Sequence, residues 1–385
     1  MPKIKIVAIG DLHFGNPRIN SEIMYNHLKS YLYPELEDAQ VLLITGDTYD
    51  QLTTVTSSAN RYALKFIKDI FLISAATGLQ VRILHGTYSH DRDQISIFEN
   101  LKVKHAKYKI INELSGDVLS DFNNGATEQL KILYIPDNLQ FKTSEEVVTQ
   151  IKKLYQCYHW KTADLVLGHG TFMHALPVSS EHAPACTYTI EQFKPLVSTD
   201  GIVIMGHIHT PSHRANVYYC GSFERMAHNE EEAKGFYTFT RDFGQSSTWE
   251  AKFIKNSDTT LFKTITPQGD TPEELVKDFI RQVKETFQGK PGYVRAVYTE
   301  PEMRGIYQRI CASQFSGLIF SGKNTAEEKD NGIKLEDITL DVFTDVAPNV
   351  NNLGELVYQY LDTNNKLDNL PKDIIIDYVN KMIQL

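Results

Sequence analysis

Residues 4–13 read Ile4-Lys5-Ile6-Val7-Ala8-Ile9-Gly10-Asp11-Leu12-His13. A short run rich in β-branched residues predicts a buried strand. The glycine lets the chain turn off the strand end without a Cβ clash. Asp11 and His13 are two apart on extended chain, so both side chains point the same way. The stretch therefore reads as a strand that ends on groups able to hold a cation.

The chain repeats this device. Val41–Thr45 leads into Gly46-Asp47-Thr48-Tyr49-Asp50, and Val81–Leu84 leads into Gly86-Thr87-Tyr88-Ser89-His90-Asp91. Leu165–Leu167 runs into Gly168-His169, and Ile202–Met205 into Gly206-His207-Ile208-His209, where the two histidines again alternate. A further strand is expected at Leu130–Ile135, and helical spacing is expected over 21–37, 60–76 and 145–158. Alternating strands and helices predict an α/β layered fold with its chemistry on the loops that follow the strands.

From about residue 217 the pattern changes. Val217–Cys220, Gly235–Thr240 and Trp249–Ile254 read as consecutive antiparallel strands. After the turn cluster Pro267–Asp270, Thr271-Pro272-Glu273-Glu274 has the cap, proline and early acids of a helix start. That helix is expected to reach Phe287, followed by a strand at Tyr293–Tyr298, a helix at 301–313 and a polar loop at Lys323–Gly332. Beyond Pro348–Asn352 lie two amphipathic helical patterns, Leu353–Leu361 and Asp373–Leu385.

At 385 residues, with 42% hydrophobic and 23% charged residues, the composition is that of a globular protein of more than one domain. It excludes a disordered tail, a collagen-like fibre and a coiled-coil rod. The longest apolar run falls well short of the roughly 20 residues of a membrane helix, and no signal-peptide pattern opens the sequence. A cytoplasmic protein with no membrane partner is expected. Cys157, Cys186, Cys220 and Cys311 form no CxxC pair and read as buried, reduced thiols. The net charge of −9 is unlike that of a domain that grips nucleic acid unaided. Bound cations would offset it locally, and a partner could supply a basic surface.

Mixed carboxylate and imidazole donors suit exchange-labile divalent metals better than a closed structural zinc. Any one of the five segments could be an ordinary turn. Five of them, each at the C-terminal end of a predicted strand, do not follow from packing alone. The set D-x-H, G-D-x-x-D, G…H-D, G-H and G-H-x-H resembles the calcineurin-like metallophosphoesterase superfamily over residues 1–258. More narrowly, Tyr219-Cys220-Gly221-Ser222-Phe223-Glu224-Arg225, an acidic stretch and Lys234-Gly235-Phe236-Tyr237 resemble its double-strand-break repair branch, the nuclease subunit of SbcCD-type complexes.

The resemblance implies a four-layer α-β-β-α metallophosphoesterase sandwich over 1–258, a small α/β capping domain over 259–345 and a C-terminal helix pair over 346–385. It implies two divalent ions, Mn2+ first and Mg2+ as a substitute. Asp11, His13, Asp47 and His209 would hold one ion, with Asp47 bridging, and His169 and His207 would hold the other. His90 would be the catalytic histidine, Asp91 its orienting partner, and Asp50 a supporting group rather than a ligand. The third segment departs from the family pattern G-N-H-D, whose Asn amide binds the second ion. Here two residues are inserted and Ser89 precedes His90, so Ser89 is expected as the replacement ligand, with Thr87 and His85 as alternatives. A hydroxyl is the weaker donor, so weaker binding of the second ion is expected.

The activity so implied is that of a Mn2+-dependent DNA exonuclease, with endonuclease activity as an extension. Its partners would be DNA, a second copy of the chain and an SMC-like ATPase of SbcC type, the last through the C-terminal helices. Arg92 and Arg225 are candidate phosphate contacts, and His174 and His182 lie in a loop expected near the site. His27, His105, His159, His213 and His228 read as surface or satisfied core groups. Two rival readings remain: a phosphomonoesterase or phosphodiesterase for small substrates, and a metal-bearing scaffold that lost activity with the Asn.

Overall fold

The structure, a computed structural model, describes residues 3–126, 128–137, 141–176, 186–242 and 248–325. The helix pair expected over 346–385, the 326–345 part of the cap, the 326–332 part of the polar loop and His182 lie outside the described residues.

The chain begins with β1 (Lys3–Ile9), α1 (Ser21–Tyr31), α2 (Tyr33–Leu36), β2 (Val41–Ile44), α3 (Ser58–Thr77), β3 (Gln80–Leu84), the one-turn α4 (Tyr88–Asp91) and β4 (Lys107–Ile111). There follow β5 (Ser115–Leu119), β6 (Leu130–Ile135), α5 (Ser144–Tyr158), β7 (Ala163–His169), the short pair β8 (Thr171–Phe172) and β9 (Thr187–Tyr188), and α6 (Ile190–Phe193). Then come β10 (Val197–Gly206), β11 (Ser212–Arg214), β12 (Val217–Tyr219), β13 (Gly235–Asp242) and β14 (Glu250–Lys255). The last described elements are β15 (Leu261–Ile265), α7 (Pro272–Phe287), β16 (Gly292–Tyr298), α8 (Pro301–Gln314) and β17 (Leu318–Asn324).

The fold is mixed α/β. One six-stranded sheet has the order β14-β13-β1-β2-β3-β4 and a second the order β11-β12-β10-β7-β6-β5. Within the first, β1, β2, β3 and β4 run parallel, and β13 joins β1 antiparallel. Within the second, β6, β7, β10 and β12 are parallel.

Strand β1 explains the layering. From Ile6 to Ile9 its residues are apolar and buried on both faces, as a strand covered on both sides requires. Ile4, Ile6 and Ala8 share a core with Ile132, Leu165, Leu167 and Ile204 of the second sheet. Val7 and Ile9 turn the other way, onto Met24 and Leu28 of α1 and Phe66, Ile67 and Ile70 of α3. The second sheet repeats the scheme, packing Val166, Val203 and Met205 against Val147 and Ile151 of α5. Each such fully buried side chain contributes about 1.5–3 kcal/mol.

Several expectations are corrected. Of the four cysteines expected to be buried, Cys157 is exposed and Cys186 half-buried, while Cys220 and Cys311 are buried. The polar loop expected from Lys323 starts later, because β17 runs on to Asn324. The helix expected over 21–37 is broken after Tyr31, because Pro34 sits in the first turn of α2 and a proline cannot continue a helix from within. Val217–Cys220 does not pair with the strands after it. β12 lies parallel to β10 and antiparallel to β11, while β13 crosses to the other sheet and pairs with β1.

Residues 1–297 and 304–322 form one compact unit. Within it the small sheet β15-β16-β17 starts from a parallel pair, and α7 packs Phe279 on Tyr307 with ring centroids 4.5 Å apart. The start of α7 is a capping box, with the Thr271 side chain accepting from Glu274 N–H and the Glu274 carboxylate accepting from Thr271 N–H. Residues 298–303 and 323–385 form a second unit. In its described part, Thr325 N–H donates to the Tyr298 carbonyl at 2.9 Å. Among the described residues no helix is long and apolar enough to cross a membrane.

Candidate metal centre

The five segments singled out in the sequence leave the C-terminal ends of β1, β2, β3, β7 and β10. The first three strands are neighbours in one sheet and the last two are neighbours in the other. Parallel pairing thus brings all five ends to one place.

Backbone bonds lock the ends together. Asp11 N–H donates to the Gly46 carbonyl at 3.1 Å and His13 N–H to the Asp47 carbonyl at 3.0 Å. His207 N–H donates to Asp11 Oδ1 at 2.9 Å, which ties one sheet to the other. Glycine is required where the loops meet. A Cβ on Gly46, whose φ is +104°, would lie 2.5 Å from His169 Nδ1, and one on Gly86 would lie 2.2 Å from the Asp47 nitrogen. Asp11, His13, Asp47 and His207 all hold positive φ, at 48°, 52°, 49° and 91°. Such conformations cost of order 1–3 kcal/mol each and are concentrated at functional sites.

Three groups of donors result among the described residues. Asp11, His13 and His209 form the first, Asp47, His169 and His207 the second, and His13, Asp50 and His90 a third that shares His13 with the first; in each, the ligand atoms lie within 4.8 Å of one another. Each could hold a metal ion. His13 Nε2 stands 3.1 Å from His209 Nε2 and 3.8 Å from Asp47 Oδ2, while His169 Nε2 stands 3.3 Å from the same Asp47 oxygen. Asp47 therefore faces both the first and the second group. Asp11 Oδ2 is buried and has no hydrogen-bond partner. A buried carboxylate oxygen without a partner is costly, and a cation at the first group would satisfy it. The donor set and this orphan oxygen fit a divalent ion.

The electrostatics agree with a centre poised for positive charge. Burial opposes ionisation of Asp47, but the imidazoles of His169, His13 and His90 outweigh it and hold the carboxyl far below its usual range. Burial likewise opposes a proton on His169, yet Asp47 and then Asp11 push its pKa up to about 10. His207 is driven the other way, by burial and by His169 beside it.

The remaining expected residues are placed as follows. His90 is half-buried on α4, its ring edge-on to His13 with centroids 4.7 Å apart, and Nδ1 faces the Asp50 carbonyl at 2.5 Å. That carbonyl orients His90. Asp91, expected in the role, is fully buried and accepts from Tyr49 N–H at 3.0 Å and Gly86 N–H at 2.8 Å, so it braces the two loops instead. Burial, and then the charge of Asp47, raises the Asp91 pKa. Asp50 stands behind His13, 3.4 Å from Nδ1, as a supporting group.

Ser89 is exposed on the outer side of the one-turn helix. The hydroxyl that reaches the second group is that of Thr87, 3.2 Å from His169 Nε2 and 3.4 Å from His207 Nδ1, with Thr87 N–H donating to Asp47 Oδ1 at 2.7 Å. The two inserted residues form the turn of α4, so the residue after Gly86, not the one before His90, stays at the strand end. Arg92 is exposed. Arg225 is half-buried and donates from Nη2 to the carbonyls of Glu231 and Glu232 at 3.4 and 3.0 Å, which ties it to the acidic stretch. His174 packs on Phe172 at 5.7 Å, and burial lowers its pKa. Sequence reasoning did not single out Glu230 or Thr45. The Thr45 carbonyl accepts from His169 Nδ1 at 2.7 Å, a backbone contact with no sequence signature.

No family model and no curated protein matches the chain. Among solved structures it is similar to GAP50, the anchor in the inner membrane complex of Plasmodium, at 14% identity and a TM-score of 0.42, over 67% of this chain and 86% of that one. A second solved structure is similar at 9% identity and a TM-score of 0.34, over 66% of this chain and all of the other. Scores this low carry no argument about fold or function.

Proposed function

We propose that this chain is a two-metal phosphoesterase of the calcineurin-like type, its residues 1–258 forming the four-layer sandwich of that superfamily, and that it works as the Mn2+-dependent DNA nuclease subunit of an SbcCD-type complex. The observation that carries the proposal is the convergence of two three-donor groups on the shared carboxylate of Asp47, with His90 beside them. In this reading 259–345 is a capping domain, 346–385 docks on an SMC-like ATPase, and the chain pairs with a second copy.

Asp11, His13, Asp47 and His209 would hold one ion, and Asp47, His169 and His207 the other, with Thr87 standing where the family has Asn. When bound, two divalent ions supply Lewis acidity toward a phosphodiester and acidify water toward neutrality. The chain's own groups do the rest. The carbonyl of Thr45 accepts from His169 Nδ1 and turns Nε2 toward the centre, where a bound cation would replace the proton that Asp47 and Asp11 otherwise favour. The Asp50 carbonyl likewise accepts from Nδ1 of His90. As the imidazolium, His90 has an Nε2 proton to give to the leaving oxygen.

A nuclease assay tests this. The purified chain is incubated with end-labelled linear duplex and closed circular single-stranded DNA, in Mn2+, Mg2+ or chelator, beside His90→Asn. Mn2+-dependent degradation lost in the variant is expected. The net charge of −9 favours a second reading, a phosphodiesterase for small substrates. Intact DNA together with hydrolysis of a chromogenic phosphodiester would select it, and silence on both substrates would overturn the enzyme.

A further inference from the structure

The segment after β12 carries buried charged residues that the ligand assignment does not use, among them Glu230 and Lys234. The Lys234 side chain is wholly buried. An ammonium so placed is costly unless its donors are satisfied. Here it donates to Glu230 Oε2 at 3.0 Å, to Glu232 Oε1 at 2.8 Å and to the carbonyl of His209 at 2.8 Å. Glu230, 7% exposed, accepts from His209 Nδ1 on its other oxygen at 2.8 Å. Its Oε2 also accepts from Met226 N–H at 3.1 Å.

His209 is thus gripped at both ends. Its backbone is tied to Lys234, its Nδ1 faces Glu230, and its Nε2 points into the first donor group, 3.1 Å from His13 Nε2.

We infer that Glu230 and Lys234 are positioning residues for the first ion. Glu230 keeps the proton of His209 on Nδ1, so that Nε2 offers its lone pair to the cation. Lys234 holds that carboxylate and the His209 backbone as one piece. Such outer contacts orient a metal-binding imidazole and raise its basicity. The inference rests on the metal-centre reading above. It gives the acidic stretch between Arg225 and Lys234 a task beyond connecting strands.

The test is titration of the metal-free full chain with Mn2+ by calorimetry, comparing wild type with Glu230→Gln. The amide keeps the volume but sets an NH2 against either the ammonium or the imidazole N–H. The affinity of one ion should fall about 10–100-fold with that of the other unchanged, and lost hydrolysis should return at high Mn2+. Glu230→Asp, which keeps the charge but withdraws the oxygen from Nδ1, should behave alike and serves if the amide variant does not fold. Two unchanged affinities in either variant overturn the inference, whatever happens to the unfolding midpoint. A wild type that takes up no ion would instead overturn the metal centre itself, and the inference with it.

Discussion

The first and second donor groups share a carboxylate and are otherwise built from different materials. Behind the first stand charged side chains: Asp50 at His13, Glu230 at His209 and Lys234 at Glu230. Behind the second stand a backbone carbonyl, that of Thr45 at His169, and the Thr87 hydroxyl. Carboxylate backing makes an imidazole a stronger ligand, whereas a neutral carbonyl fixes its orientation with less gain in basicity. If both groups hold ions as proposed, the first should be the tighter seat and the second the more labile one.

The largest test of this asymmetry removes what the groups share. Asp47→Asn should cost both ions and all hydrolysis, read by metal content and activity together; retention of either ion at wild-type strength would break the description of Asp47 as common to both. Next is His90→Asn, which should lower kcat by about 10²–10⁴-fold while both ions stay. Loss of an ion there would move His90 into the first group. A smaller effect separates the two hydroxyls. Thr87→Val should weaken only the second ion, by about tenfold, or about 1.4 kcal/mol, and Ser89→Ala should leave both affinities alone; the reverse pattern would return Ser89 to the ligand set. Dilution into a weak chelator should then strip the ions in sequence, the second group first, seen as two phases of Mn2+ release.

The smallest effect lies outside both groups and sharpens the contrast between charged and neutral backing. His228 is buried beside Phe262, with its Nε2 3.3 Å from Ser321 Oγ. Burial, then Arg295 and Arg18, lowers its pKa from 6.5 to about 4. Because the folded pKa is depressed, the unfolded chain binds the proton more tightly. The contribution of His228 is complete above pH 6.5 and is lost as pH falls from there toward about 4. Unfolding midpoints across that window, in chelator, should fall less steeply in His228→Gln than in wild type.

Much of this was legible in the sequence, for definable reasons. Strands buried on both faces announce themselves by apolar runs, such as Ile6–Ile9 of β1 and Val41–Ile44 of β2, and their ends place the donors. Asp11, His13, Asp47, His169, His207 and His209 come together as the spacing predicts. The strands β4, β5, β11, β15 and β17 were missed, whereas the edge strand β14 and the strand β16 were expected. β4 and β5 are only partly buried and mix lysine, glycine and aspartate into the run, so no apolar signal rises above that of a loop. The order of sheets was missed at β12 because periodicity carries no information on which neighbour a strand selects. Ser89 is exposed and Asp91 accepts from Tyr49 and Gly86 N–H, unlike the positions expected for them, because a one-turn helix, invisible over so few residues, rotates everything after Thr87. Backbone acceptors such as the carbonyls of Thr45 and Asp50 have no residue type to read.

The positive φ angles at Asp11, His13, Asp47 and His207 have a consequence for descent rather than for chemistry. Each holds an L-residue where glycine or asparagine would rest more easily, a strain that the proposed metal site would repay. In a lineage released from the need for the ions, substitution at these positions would raise stability while erasing the site. The donors should therefore be the first residues to drift in an inactive descendant, well before the core that carries them.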